Sequence, residues 1–282
     1  MRLRSRPGAV FEMTQVQTGS LAAADVTRNN EGLCFTVQAG EVVSLSAPED
    51  ICWTLLRLAQ GEIQPSSGKV SVLGRDLGSV GPRWLKRARL RLVLTLGVRP
   101  SWEGAFDNEA CVLDHLVAAG SLAGELVEKA EVDARALLTE TGLSFLQEAP
   151  LVALDAVEHV RLALLRSLLL QPRFLLIEPG MFADAFDTAL WAAEILCKET
   201  KAKKFGVFWV DPSPRVTSLA DRMYVYSRGV CVNVDTNVPD PDGLQDFDNL
   251  IDMAGDKELG TLYEFDSTEM LGITEEDFEN RG

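Results

Sequence analysis

Residues 40–58 read GEVVSLSAPEDICWTLLRL. A short apolar run, a tight loop and a helical stretch follow one another, which is the layout of a phosphate-binding P-loop. Such a loop uses glycines to turn bare backbone N–H groups toward phosphate oxygens, a lysine for the β- and γ-phosphates, and a hydroxyl for Mg²⁺. Here Ser46, Glu49 and Ile51 stand at the glycine positions, Cys52 at the lysine position and Trp53 at the hydroxyl position; only Thr54 keeps the pattern. The frame is one that grips a triphosphate, and the residues within it do not supply the grip.

The rest of the chain is in step with that frame. Residues 35–41 (FTVQAGE) fit the strand and turn that enter the loop, and residues 64–70 (QPSSGKV) and 74–77 (GRDL) fit a hairpin after its helix. Residues 161–172 (RLALLRSLLLQP) and 219–229 (LADRMYVYSRG) fit a later helix and a late strand. Together, from about Val10 to Val234, these segments resemble the nucleotide-binding subunit of ATP-binding-cassette (ABC) transporters. The resemblance implies an α/β fold of the P-loop NTPase type, with a three-layer core and a small helical subdomain at about residues 100–150. The cassette-like part is expected over residues 1–234, with an acidic C-terminal extension over residues 235–282.

Each segment that touches nucleotide in that family departs from its pattern here. The family's LSGGQ signature falls on Leu154, Asp155, Ala156, Val157 and Glu158, and its switch histidine falls on Asp211. The two histidines, His115 and His159, lie elsewhere, and no glutamine occurs between Gln64 and Gln147, where the Q-loop is expected. The Walker B end carries one carboxylate, Glu178. Either Glu178 takes the Mg²⁺-ligand position and Pro179 replaces the catalytic glutamate, or Glu178 is the catalytic residue and Ile177 replaces the metal ligand.

These substitutions oppose nucleotide as well as failing to hold it. Glu49 and Asp50 put carboxylates where phosphate oxygens would lie. At roughly 5 Å and an effective dielectric near 20, each unit-charge pair costs about 3 kcal/mol, whereas micromolar binding is worth about 8 kcal/mol in all. Loss of the lysine removes an attraction of similar size. Trp53 is bulky where Mg²⁺ must approach, and Asp155 would repeat the repulsion from a partner subunit. No catalytic residue, no metal site and no conventional binding of ATP or Mg²⁺ is therefore expected, and the positions named are read as vestiges.

Plainer roles stand beside these. Glu49 and Asp50 suit the first turn of a helix, whose positive end favours acids. Asp211 with the PSP that follows suits a turn and helix start. His159 suits a packing or surface position on a helix. Cys52 at a helix N-terminus invites a reactive thiol, which the neighbouring acids oppose.

Composition bounds the rest. A chain of 282 residues can bury one large core or two small ones. No apolar run approaches the roughly twenty residues of a bilayer span, and the opening MRLRSRPGAV lacks the apolar stretch of a secretory signal. Cys34, Cys52, Cys111, Cys197 and Cys231 show neither metal spacing nor a disulfide framework, which fits a reducing compartment. The net charge of −15 disfavours nucleic acid as a partner.

That charge is uneven. Residues 231–282 hold fifteen acids against Lys257 and Arg281, a net of −13, so the remainder carries about −2. Leu244, Phe247, Leu250, Ile251 and Ala254 fall at helical spacing among the acids, which reads as a segment that docks on a partner; a solvated tail is the plainer alternative. A calcium loop does not fit: Gln245 and Ile251, or Ile251 and Lys257, stand where an EF-hand needs glycine and glutamate. The main positive cluster, Arg83, Lys86, Arg87, Arg89 and Arg91, reads as a solvated edge beside a strand, with anionic lipid or an acidic partner as the alternatives.

Short apolar runs predict buried parallel strands at Val42–Ser46, residues 90–96, Phe174–Ile177, Gly206–Val210 and residues 223–227. Helices are expected at residues 51–58, 125–141, 156–170, 187–198 and 214–220, and the alternation argues for α/β layers. The resemblance then implies a protein on the cytoplasmic face of a membrane, peripheral to it. Its partners would be a membrane permease subunit and a homologous cassette subunit, in a homo- or heterodimer. The lost residues point to a pseudo-ATPase, a structural or regulatory part that does not hydrolyse ATP. Two alternatives stay open: an ATPase that holds nucleotide unconventionally through Thr54, Glu178 and backbone groups, and a soluble scaffold acting through its acidic tail.

Overall fold

The computed structural model describes residues 8–17, 32–97, 110–182, 186–210, 218–227 and 230–234. The chain divides into two units, Met1–Thr236 and Asn237–Gly282, and every described residue belongs to the first. The acidic tail, Asp211 and most of the helix expected at 214–220 lie outside the described residues.

The central sheet forms from the apolar runs. Strands β3 (Val42–Ser46), β6 (Val93–Leu96), β7 (Phe174–Ile177), β8 (Gly206–Val210), β9 (Arg222–Ser227) and β10 (Val230–Val234) stand in the order β10-β9-β3-β8-β7-β6. All pairings are parallel except β9 with β10. A second, antiparallel sheet has the order β2-β1-β4-β5, from β1 (Ala9–Gln17), β2 (Leu33–Gln38), β4 (Ser67–Val72) and β5 (Arg75–Asp76).

Alternation along the parallel strands divides the core into two halves. Val43, Leu45, Phe174, Leu176, Phe208 and Val210 face the antiparallel sheet and helix α1 (Glu49–Ala59). There Phe11 stacks on Phe174 with ring centroids 5.2 Å apart, and Phe35 lies 5.1 Å from Phe208. Such pairs add about 0.5–1.5 kcal/mol each beyond the area they bury. Val42, Leu175, Ile177, Val207 and Trp209 face the opposite way, onto α3 (Val112–Ala123), α4 (Val127–Glu140), α5 (Ala156–Leu169) and α6 (Phe186–Lys203). The result is the α/β layered core expected from the sequence. Gly120 lets α3 and α4 touch: a β-carbon there would stand 2.8 Å from that of Ala130.

Arg222 ties the two sheets. Its guanidinium pairs with Glu41 in the β2–β3 turn and donates to the Tyr224 hydroxyl at 2.7 Å. Beside it, Asp221 accepts from Val42 N at 2.9 Å and pairs with Lys201 at 3.1 Å.

Two expectations need correction. Residues 90–96 do not form one strand: helix α2 (Pro82–Arg91) runs through the first of them, and β6 begins at Val93. The cations at 83–91 are therefore not a strand edge. They lie on a helix whose Trp84, Leu85 and Ala88 pack toward the core, a 3.6-residue spacing hidden among five basic residues. The helix expected at 187–198 continues to Lys203.

Candidate functional site

The strands β3, β8, β7 and β6 are parallel neighbours, so their carboxyl ends lie along one edge of the sheet, where open α/β sheets bind ligands. Ser46 is the last residue of β3 and is buried. Only Ala47 and Pro48 separate it from α1. Pro48 is the N-cap residue at φ −54°, and it brings no N–H to the turn. A cradle of successive N–H groups is thus shortened and interrupted.

Helix α1 closes on itself. Glu49 and Asp50 form its first turn, exposed and favourably placed against the positive end of the helix. The Trp53 indole Nε1 donates to Glu49 Oε1 at 3.2 Å, and the Thr54 hydroxyl donates to the Asp50 carbonyl at 2.8 Å. Ile51 and Cys52 turn into the core; Cys52 is 1 % exposed and its thiol donates to the Ala47 carbonyl at 3.2 Å. The group at the lysine position therefore ends on the loop's own backbone. Trp53 is 37 % exposed and is held along its own helix by the bond to Glu49. Residues 40–56 contain no lysine or arginine.

At the neighbouring strands, Glu178 directly follows the four apolar residues of β7, and its N–H donates to the Leu96 carbonyl at 2.9 Å. Its carboxylate lies over Gly97, the residue after β6: a β-carbon on Gly97 would stand 2.1 Å from Glu178 Oε2. No local pattern marks this approach, because it joins two residues eighty-one positions apart across a strand pairing.

The signature positions build a helix start. Leu154 is buried, and Asp155 is the N-cap of α5. Asp155 Oδ1 accepts from Glu158 N at 2.7 Å while Glu158 Oε2 accepts from Asp155 N at 2.9 Å, a reciprocal capping box. Ala156 and Val157 occupy the intervening turn. His159 Nδ1 lies 2.8 Å from the Asp155 carbonyl, consistent with the ordinary helical position expected.

A cleft of about 190 Å³ opens beside the edge strand β6, lined by Gln60, Arg89, Thr95, Leu96, Gly97 and Arg166, among others. Gln60 donates to the Thr95 hydroxyl at 3.0 Å, and the Arg89 guanidinium reaches the Gln60 carbonyl at 2.9 and 2.6 Å. Behind Arg166, His115 is buried; burial, with the Arg166 charge second, pushes its pKa down to about 4. Among the described residues, no cluster of acids, cysteines and histidines could hold a metal ion, and no helix is long and apolar enough to cross a membrane.

The likeness to solved structures decides the architecture. The part of the ABC transporter complex cbiONQ called cbiO1, from Clostridium perfringens, superposes with a TM-score of 0.64 over 90 % of this chain and 97 % of that one, at 14 % identity. This chain has the ABC ATPase fold. The ATP-binding cassette MJ0796, solved as a dimer in a post-hydrolysis state with ADP and Pi, shares that fold with a TM-score of 0.59 over 80 % of this chain and 99 % of that one, at 14 % identity. In sequence, this chain is 26 % identical over 223 residues to an uncharacterized ABC transporter ATP-binding protein of Rhizobium meliloti (strain 1021), covering 78 % of this chain and 80 % of the relative. No protein-family model matches it.

Proposed function

We propose that this protein is an ATP-binding-cassette subunit of a membrane transport complex that has kept the fold and lost the catalyst. The observation that carries this reading is the β3–α1 connection. Two residues, one a proline, replace a phosphate cradle; two carboxylates open the helix; and the side chain at the lysine position is a buried thiol bonded to the loop. A nucleoside triphosphate does not fit these residues. The place of Glu178 immediately after β7 supports the register in which it stands at the metal-ligand position and Pro179 replaces the catalytic glutamate.

Residues 1–234 form the cassette in this reading. It sits peripherally on the cytoplasmic face of a membrane, pairs with a second cassette and meets a permease at the cleft beside β6. The fold of MJ0796, which is dimeric, and the ABC relative support that placement. The acidic residues 235–282 dock on a partner. Equilibrium titration with labelled Mg·ATP up to millimolar ligand tests the loss of nucleotide: saturable micromolar binding overturns it. Purification from gently solubilised membranes tests the complex, and recovery with no membrane protein overturns that half.

A further inference from the structure

We infer that the exposed face of α2 is a contact for anionic lipid headgroups. Residues 77–102 contain no acid and six cations, in a chain of net charge −15. Arg83, Lys86 and Arg87 stand at i, i+3 and i+4, on one face of α2, and all three are exposed. None of them takes part in the ion pairs found among the described residues. The opposite face is anchored by the buried Ala88 and by Trp84 and Leu85.

Folding alone does not account for these charges. Arg83 lies in the first turn, which holds no acid, and a cation at the positive end of a helix is unfavourable. A protein partner would be expected to find apolar anchors, but among the described residues none of the exposed large apolar side chains belongs to α2. What the face offers is density of one sign, which is what a negatively charged bilayer surface reads. Trp84 lies at its rim with the Arg75 guanidinium 5.5 Å from the ring centroid, and tryptophan is enriched where bilayer meets water. Arg89, on the same helix, lines the cleft beside β6. The inference rests on the proposed membrane association only in that this cleft is the side turned toward the membrane.

The experiment uses the full chain with vesicles of phosphatidylcholine alone or mixed with phosphatidylglycerol, in co-sedimentation at several salt concentrations. Partition onto the mixed vesicles only, weakening with salt, is expected. The Arg83→Gln/Lys86→Gln/Arg87→Gln variant should lose about fivefold per cation while its thermal midpoint stays within a few degrees. Equal binding to neutral vesicles, no binding to either, or unchanged binding by the variant overturns the inference. So does a variant that loses only capture of an acidic protein. Co-purification of the same variant with a membrane subunit reads the cleft separately, so failure here and failure of the transport reading give different results.

Discussion

The indole of Trp53 is hydrogen-bonded to the carboxylate of Glu49, one turn earlier on the same helix, at 3.2 Å. In the proposed reading, two of the residues that exclude phosphate therefore hold each other in place, and changing either one alone would leave the other in the site.

Nucleotide binding should return only when several positions are changed together. Wild type and Cys52→Lys alone are expected to show no saturable Mg·ATP binding, since a lysine there meets a buried site and two adjacent acids. The combined Glu49→Gly/Ile51→Gly/Cys52→Lys/Trp53→Ser variant removes a repulsion and adds an attraction of about 3 kcal/mol each. That should bring affinity into the millimolar range, read by titration with a fluorescent nucleotide.

Arg222 is expected to be the most costly charged residue to remove among those described. Arg222→Ala strands Glu41, whose side chain is 14 % exposed, and empties the bond to Tyr224. A loss of about 2 kcal/mol is expected, on the scale of hydrogen bonds to charged groups. Urea unfolding gives the value, and Arg222→Lys should recover only part of it, because one ammonium cannot reproduce the fork.

Acid should weaken the fold through His115. Its folded pKa of about 4 lies below the 6.5 of an ordinary histidine, so the unfolded chain takes the proton more readily. The neutral form is fully favoured above pH 6.5, and stability is lost as pH falls from there toward 4. The loss approaches about 3 kcal/mol at one proton and 1.36 kcal/mol per unit. Denaturation curves across that window should fall more steeply for wild type than for His115→Gln.

Two glycines with close neighbours should respond differently to alanine. At Gly206 a β-carbon would stand 2.4 Å from Val10 Cγ2 and 2.9 Å from the Gln38 carbonyl, both fixed by the packed sheets. Gly206→Ala should cost about 1–3 kcal/mol through overpacking. At Gly97 the neighbour is the end of the Glu178 side chain, which can swing away. Gly97→Ala should cost under about 1 kcal/mol, with thermal unfolding separating the two.

The sheet was readable because Val42–Ser46, Phe174–Ile177 and Gly206–Val210 are buried on both faces, so apolar runs mark them without periodicity. Strand β1 was not, since AVFEMTQVQ mixes polar and apolar residues across register shifts against both neighbours. Helix α2 was hidden by its cations. At the site, residue identities were legible and their partners were not. Asp155 and Glu158 spell a capping box three residues apart, but the signature register draws attention to the charge of Asp155 and away from that pairing. That Cys52 turns onto the Ala47 carbonyl depends on the length of the loop, which local sequence does not set.

In the cassette reading, the amino end of α5 is the surface that would face a nucleotide held by a second subunit. Here two of its amides, those of Asp155 and Glu158, are already taken by carboxylates of the same chain. Two such chains would lack the shared anion that glues active cassettes shut. Their pairing would follow concentration and the company of other proteins, and would be deaf to the energy charge of the cell.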